Sequence, residues 1–351
     1  MNDLQPDKPV KKFFLCVTSD AFAAFTKRFA EKLTLALVEG YSKQLKEDDI
    51  VELAVNKLRR EGMSDQTKGV EISAETTFIH GNRSMVAFSY YGKQIPRELG
   101  DLLFIISIVY QRSKIFERVT INQVKKAGDG SQPAQWDLSN REQLYLLARF
   151  PTFERVLASI IPSGRFSFLN FSGVLGSYSL LSHPGDFSFV SASKLDSYLQ
   201  TNVLKKSAIP ELMRYADSSN IEGNAHVWPW IRFIDLYPLS LFGNYHNALN
   251  AFDFAQKFLT MNLGEYTCRV VGSANDEVRQ FLQQLLTNVK ARGIINNDRN
   301  TQELADHFFR YPYAGEEDRT DNNGSSPGER TNAEGLDGDL GIIHVTINLG
   351  E

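Results

Sequence analysis

The stretch LLFIISIV at residues 102–109 constrains the fold more than any other part of this chain. It is short, β-branched and apolar on both faces, which predicts a strand at the centre of a sheet covered on both sides. A polar QRSK follows at 111–114, then IFERVTINQVK at 115–125. Together they predict a hairpin with strands over 101–110 and 116–125. Side chains alternate along a strand, so Gln123 and Lys125 share a face. The turn brings them back to the open end of the hairpin, where Asp101 begins the first strand.

Around the hairpin, periodicity sets the expected elements. Phe22, Phe25, Phe29, Leu33, Ala36 and Leu37 predict a helix capped by Ser19 or Asp20, with its Phe stripe in the core. Ile50, Leu53, Ala54 and Leu58 predict a second over 48–60, ended by Gly62. VEISAETTFIHG and SMVAFSYYG, within 70–92, read as a strand pair or bulged hairpin. Further helices are expected over 139–150, 193–203, 247–260 and 274–292, with short strands and turns after residue 163. The last helix is the clearest, with Val278, Phe281, Leu282, Leu285, Leu286 and Val289 on one face and Gly293 at its stop. GIIHVTINL at 341–349 reads as a terminal strand whose docking place the sequence does not give.

The 351 residues suffice for one large or two ordinary domains. Net charge is −4, but residues 315–339 hold eight acids against Arg319 and Arg330, so the rest is close to balanced. Global charge therefore neither demands nor excludes a polyanion. That acidic, Gly- and Asn-rich segment is expected to be a flexible linker. Cys16 and Cys268 lack any CxxC or Cys/His spacing, which argues against structural zinc and for buried thiols in a reducing cytoplasm. The N-terminus has no signal-peptide pattern, and no apolar run approaches the ~18 residues of a membrane span. A cytoplasmic chain with no membrane partner is expected.

An acid, an amide and an ammonium at the end of an apolar hairpin are costly to desolvate unless something pairs with them. A hard cation gives one reason for them. Mg²⁺ prefers oxygen donors and keeps several waters. It lowers the pKa of a bound water and neutralises phosphoryl charge. A lysine on the same face can orient that water or offset transition-state charge.

ELGDLLFI…INQVKKA resembles the PD-(D/E)XK nuclease superfamily, and within it the bacterial group whose last motif reads Gln-x-Lys. The resemblance spans about residues 48–150. It implies a restriction-endonuclease-like α/β (α+β) fold, a mixed sheet flanked by helices, and Mg²⁺- or Mn²⁺-dependent cleavage of phosphodiesters. By that resemblance Asp101 is the metal-binding Asp, Gln123 the variable ligand and Lys125 the catalytic Lys. The further upstream acid is assigned to Glu75, with Glu71 and Glu98 as rivals. Gly100 stands where the family has Pro, and Gln123 replaces an acid, which removes one negative charge for a second metal.

The expected organisation is an N-terminal helical segment (1–44), a nuclease-like domain (45–150), a second α+β domain for recognition or assembly (151–314), the acidic linker (315–339) and a terminal strand (340–351). The expected function is hydrolysis of DNA, with RNA left open because the motif reads phosphate rather than sugar. A role in restriction or phage defence is implied by the resemblance alone. A homo-oligomer or a protein partner is also open. The competing expectation is a non-catalytic module that keeps the fold and binds nucleic acid or a partner. His80 reads as a turn histidine and HVWPWIRF (226–233) as packing rather than a base-stacking surface. His183, His246, His307 and His344 have no ligand spacing, and GVLGSYS fits neither a phosphate loop nor a nucleophile elbow.

Overall fold

Every residue of the strand Leu102–Tyr110 is buried, and its side chains alternate between two hydrophobic clusters. Leu103 and Ile105 enter one; Leu102, Phe104, Ile106 and Ile108 enter the other. The computed structural model describes residues 7–59, 63–67, 69–81, 84–127, 136, 138, 140–156, 159–168, 171, 174–182, 186–201, 250–269, 273–314 and 338–350. In chain order these form helices α1 (Asp7–Val17), α2 (Asp20–Ser42) and α3 (Glu47–Lys57), then strands β1 (Ser64–Thr67), β2 (Val70–Ile79) and β3 (Met85–Tyr90). Strands β4 (Lys93–Glu98), β5 (Leu102–Tyr110) and β6 (Ser113–Lys126) precede helix α4 (Arg141–Arg149). Next come β7 (Phe153–Arg155), β8 (Arg165–Phe166), β9 (Gly176–Ser182), β10 (Asp186–Ser191), α5 (Ala192–Thr201) and α6 (Ala251–Leu259). The last are β11 (Glu265–Arg269), α7 (Asp276–Ile295), α8 (Arg299–Phe309) and β12 (Leu340–Asn348).

The main sheet is mixed, in the order β1-β2-β12-β5-β6-β9-β10, with β11 beside the first half of β6. Pairs β12–β5 and β6–β9 are parallel and the others antiparallel. A second sheet has the order β4-β3-β7-β8. Helices cover both faces of the main sheet. Leu144 and Leu147 of α4, Phe281 and Leu285 of α7, and Leu304 and Phe308 of α8 fill one cluster. Phe25 and Phe29 of α2, Ile50 of α3, and Phe254 and Phe258 of α6 fill the other. The central, doubly covered strand is what the apolar hairpin predicts. The architecture is a mixed α/β sheet flanked by helices, and α2 starts as expected with Ser19 accepting from the Phe22 amide.

The structure adds three findings. β2 and β3 are strands as expected but do not pair; β2 lies between β1 and β12 and β3 lies in the second sheet. The strand pair or bulged hairpin expected within 70–92 is corrected accordingly. β12 docks in the middle of the main sheet, antiparallel to β2 and parallel to β5. β9, β10 and β11 extend the sheet of β5 and β6, and each hydrophobic cluster draws residues from both sides of position 150. Residues 315–337 and the HVWPWIRF stretch lie outside the described residues. Cys16 and Cys268 are both buried. Among the described residues no helix is long and apolar enough to cross a membrane.

Candidate functional site

The turn of the central hairpin is two residues long, Gln111 and Arg112, both with left-handed φ (50° and 61°). From that tight end the two strands run to an open end where polar groups collect. Gly100 makes their approach possible. A Cβ there would lie 2.9 Å from Ile121 Cγ2 and 3.0 Å from the Asn122 carbonyl oxygen, so a side chain would push the strands apart. The Asp101 amide then donates to the Asn122 carbonyl at 2.9 Å, and the Asp101 carbonyl accepts from the Gly341 amide of β12 at 2.8 Å. Asp101 is fixed from both sides before its side chain makes any contact.

That side chain is buried. Its Oδ2 accepts from Gln123 Nε2 and from the Val124 amide, each at 2.6 Å. Gln123 is held in turn by Gln143 of α4, whose Nε2 donates to Gln123 Oε1 and to the Glu98 carbonyl, both at 2.9 Å. Lys125 donates to Glu47 Oε2 at 2.9 Å, and the Lys126 amide donates to the other Glu47 oxygen at 2.8 Å. Glu47 opens α3, followed by Asp48 and Asp49, where the helix N-terminus favours negative charge. Glu98, the last residue of β4, hydrogen-bonds Asp101 and brings the second sheet to the same place.

The charges here are not balanced. Burial, then the neighbouring Asp101, raise the Glu98 carboxyl well above the ordinary carboxylate range. Burial also raises Asp101, with Glu47 and Asp48 adding to it, against the lowering effect of Lys125 and the Val124 amide. One proton shared between the two carboxyls relieves their repulsion. Burial acts to lower Lys125, but Glu47, Asp101 and Glu98 outweigh it and hold the ammonium above its usual value. Tyr178, beside Gln123 on β9, is raised by burial and by Asp101.

The structure brings Asp101, Gln123 and Lys125 to one end of the hairpin, with Glu98 beside them. Glu75 and Glu71 are elsewhere. Both lie on β2, and β12 separates that strand from β5. Glu75 pairs with His344, which pairs with Ile105, so it stands two strands across and four residues along from Asp101. At strand spacings that is on the order of 15 Å, and the assignment of Glu75 to this group is corrected accordingly. Gln123 also differs from expectation. Its carbonyl faces Gln143 and its amide NH₂ faces Asp101, because a carboxylate oxygen can only accept there. Sequence reasoning missed Glu47, Asp48 and Gln143. The run Glu47-Asp48-Asp49 was a visible signal, but nothing local ties a helix start to a strand end almost 80 residues away.

Among the described residues no three His, Cys, Asp or Glu side chains are arranged to hold a metal by themselves. Asp101 and Glu98, with Glu47 and Asp48 near them, bring four carboxyl groups to this end of the hairpin. A scan of protein families, a search of curated proteins and a search of solved structures each found no match for this chain.

Proposed function

We propose that this chain is a metal-dependent nuclease that hydrolyses phosphodiester bonds of DNA at the open end of the β5–β6 hairpin. The observation that carries the reading is the meeting of Asp101, Gln123 and Lys125 at that end, with Glu98 and Glu47 against them. The resemblance of ELGDLLFI…INQVKKA to the PD-(D/E)XK superfamily supports it.

Asp101 and Glu98 would hold Mg²⁺ or Mn²⁺, with Glu47 and Asp48 at the margin of the site. When bound, the cation polarises a phosphoryl oxygen and makes a bound water more acidic. The protein's own groups do the positioning. Gln123 and the Val124 amide fix the rotamer of Asp101, and Gln143 fixes Gln123. Lys125 stays protonated and supplies positive charge where negative charge develops on the phosphate. Glu47 aims that ammonium by holding it at 2.9 Å.

The test is incubation with linear, supercoiled and single-stranded DNA plus Mg²⁺ or Mn²⁺, beside Asp101→Ala and Lys125→Ala. Cutting by the unaltered protein and by neither variant is the expected result. Cutting by all three removes this site from the reaction. No cutting, together with no Asp101-dependent metal binding by calorimetry, favours the competing reading of a binding module without chemistry.

A further inference from the structure

A second polar group lies inside the sheet, toward the other end of the hairpin, and the nuclease reading does not use it. Glu117 of β6 is fully buried. One of its oxygens accepts from Lys114 Nζ at 2.7 Å and Ser107 Oγ at 2.8 Å. The other accepts from Thr267 Oγ1 at 2.8 Å and Tyr313 Oη at 2.6 Å. Four donors fill its acceptor positions, so it has no proton to give.

That orders the protons further along, where Thr346 Oγ1 also lies 3.4 Å from His344 Nε2. Ser107 spends its one hydroxyl proton on Glu117, so it can only accept from His344 Nε2, which lies 2.9 Å away. His344 therefore carries its proton on Nε2, and its Nδ1 is a bare acceptor in the neutral ring. His307 Nδ1 faces that nitrogen at 3.3 Å and must be the donor. His307 Nε2 is then bare and accepts from Ser73 Oγ at 3.3 Å. The result is a one-way chain: Ser73 to His307, His307 to His344, His344 to Ser107, Ser107 to Glu117.

The chain crosses β2, α8, β12, β5 and β6, and it fastens β12 on both sides. A proton added to His344 Nδ1 would oppose the N–H of His307 at 3.3 Å. A proton added to His307 Nε2 would oppose the Ser73 hydroxyl that donates there, and it leaves a second cation near Lys114. The charged and titratable groups facing the pair are few. Glu75 faces it from β2, in register with His344; Lys114 and Glu117 face it from β6, and Tyr313 from the segment after α8. Beside Glu117, on β11, lie Thr267 and the buried Cys268. On α8 the neighbouring Asp306 is taken by Lys290 at 2.7 Å. Burial, then His307 and Lys114, hold His344 well below the ordinary histidine range.

We propose that the His307–His344 pair is an acid-sensitive latch: protonation of the pair loosens β12 from the middle of the sheet. The latch stands without the nuclease reading. On that reading it also acts on the site, because the Gly341 amide that would be withdrawn is bonded to the Asp101 carbonyl.

The test is hydrogen exchange read by mass spectrometry at about pH 7.5 and about pH 5, corrected for intrinsic rates, on either side of the usual histidine range. Protection of the 340–349 amides is expected to fall at least about tenfold at the lower pH, ahead of the rest of β5 and β6. In the double variant His307→Asn and His344→Gln, which keeps one amide donor per ring and does not titrate, that fall is expected to vanish. An equal fall in the double variant, or none in the unaltered protein, overturns the latch. If the variant does not fold, nitrogen-15 spectra of the unaltered protein's imidazoles decide. Nδ1–H on His307 and Nε2–H on His344 support the latch; any other tautomer pair, or a charged ring at neutral pH, overturns it. Neither readout involves cleavage, so failure of the latch and failure of the nuclease reading are told apart.

Discussion

The two ends of one hairpin carry polar groups in opposite condition. Toward the turn, Glu117 has four donors on two oxygens, and Lys114 is paired with it and lies over the rings of Phe308 and Tyr313 at 3.5 and 4.6 Å. At the open end, Asp101 and Glu98 are pressed together and must share a proton, while Lys125 is only partly covered, at 22% side-chain exposure. The same strands support both groups, so the difference lies in what was placed around them. A satisfied buried network holds a fold together. An unbalanced one is kept at some loss of stability, and such places are where chemistry or ligand binding is sought.

Breaking one partner at the satisfied end should give the largest effect. Glu117→Leu leaves Lys114 buried without its carboxylate and is expected to lower stability by about 3–5 kcal/mol, read as a shift of the urea midpoint at unchanged slope. At the open end the large effect should fall on activity instead. Lys125→Ala is expected to reduce DNA cleavage about a hundredfold or more with little change in the unfolding midpoint. A stability loss without an activity loss would reverse the contrast.

Gly100→Ala is intermediate, since its Cβ meets Ile121 and the Asn122 carbonyl at 2.9 and 3.0 Å. A destabilisation of about 1–3 kcal/mol is expected from denaturant unfolding, as for other overpacking. The smallest change, and of opposite sign, is expected for Asp101→Asn. Removing one of two crowded carboxyls should leave stability unchanged or raise it by up to about 1 kcal/mol at neutral pH.

The two ends also respond to pH in opposite senses. Glu98 and Asp101 have raised values in the folded chain, so their contribution is full below the ordinary carboxylate range and is lost as the pH rises through neutrality. His344 is depressed, so its contribution is full above 6.5 and is lost as the pH falls toward its folded value. Stability measured across pH should therefore fall on both sides, and Asp101→Asn should flatten the alkaline limb while His344→Gln flattens the acid one.

The hairpin was legible because its signals are local: an unbroken apolar run, a polar turn, then period-two charges at the far end. The helices around it were legible for the same reason, as in the Phe stripe of α2 and the apolar face of α7. What was not legible depends on distance along the chain. Nothing near Glu75 says that β12 will intrude between it and β5. Nothing near Glu47 says that the start of α3 will reach Lys125. The orientation of Gln123 followed from Gln143, a helix residue whose contacts appear only once α4 has packed. Short-range chemistry found one wall of the candidate site, and tertiary packing supplied the others.

The central place of β12 bears on how the chain reaches this structure. The strands it joins precede it by more than two hundred residues, so β2 and β5 must each wait with an open hydrogen-bonding edge until it arrives. Long-range parallel pairing of this kind is slow to form. Meanwhile the edge of β5, apolar on both faces, is open to pairing with another molecule. Synthesis of this protein therefore passes through a stage in which a strand destined for full burial is an adhesive one, and that stage closes only when β12 slots in.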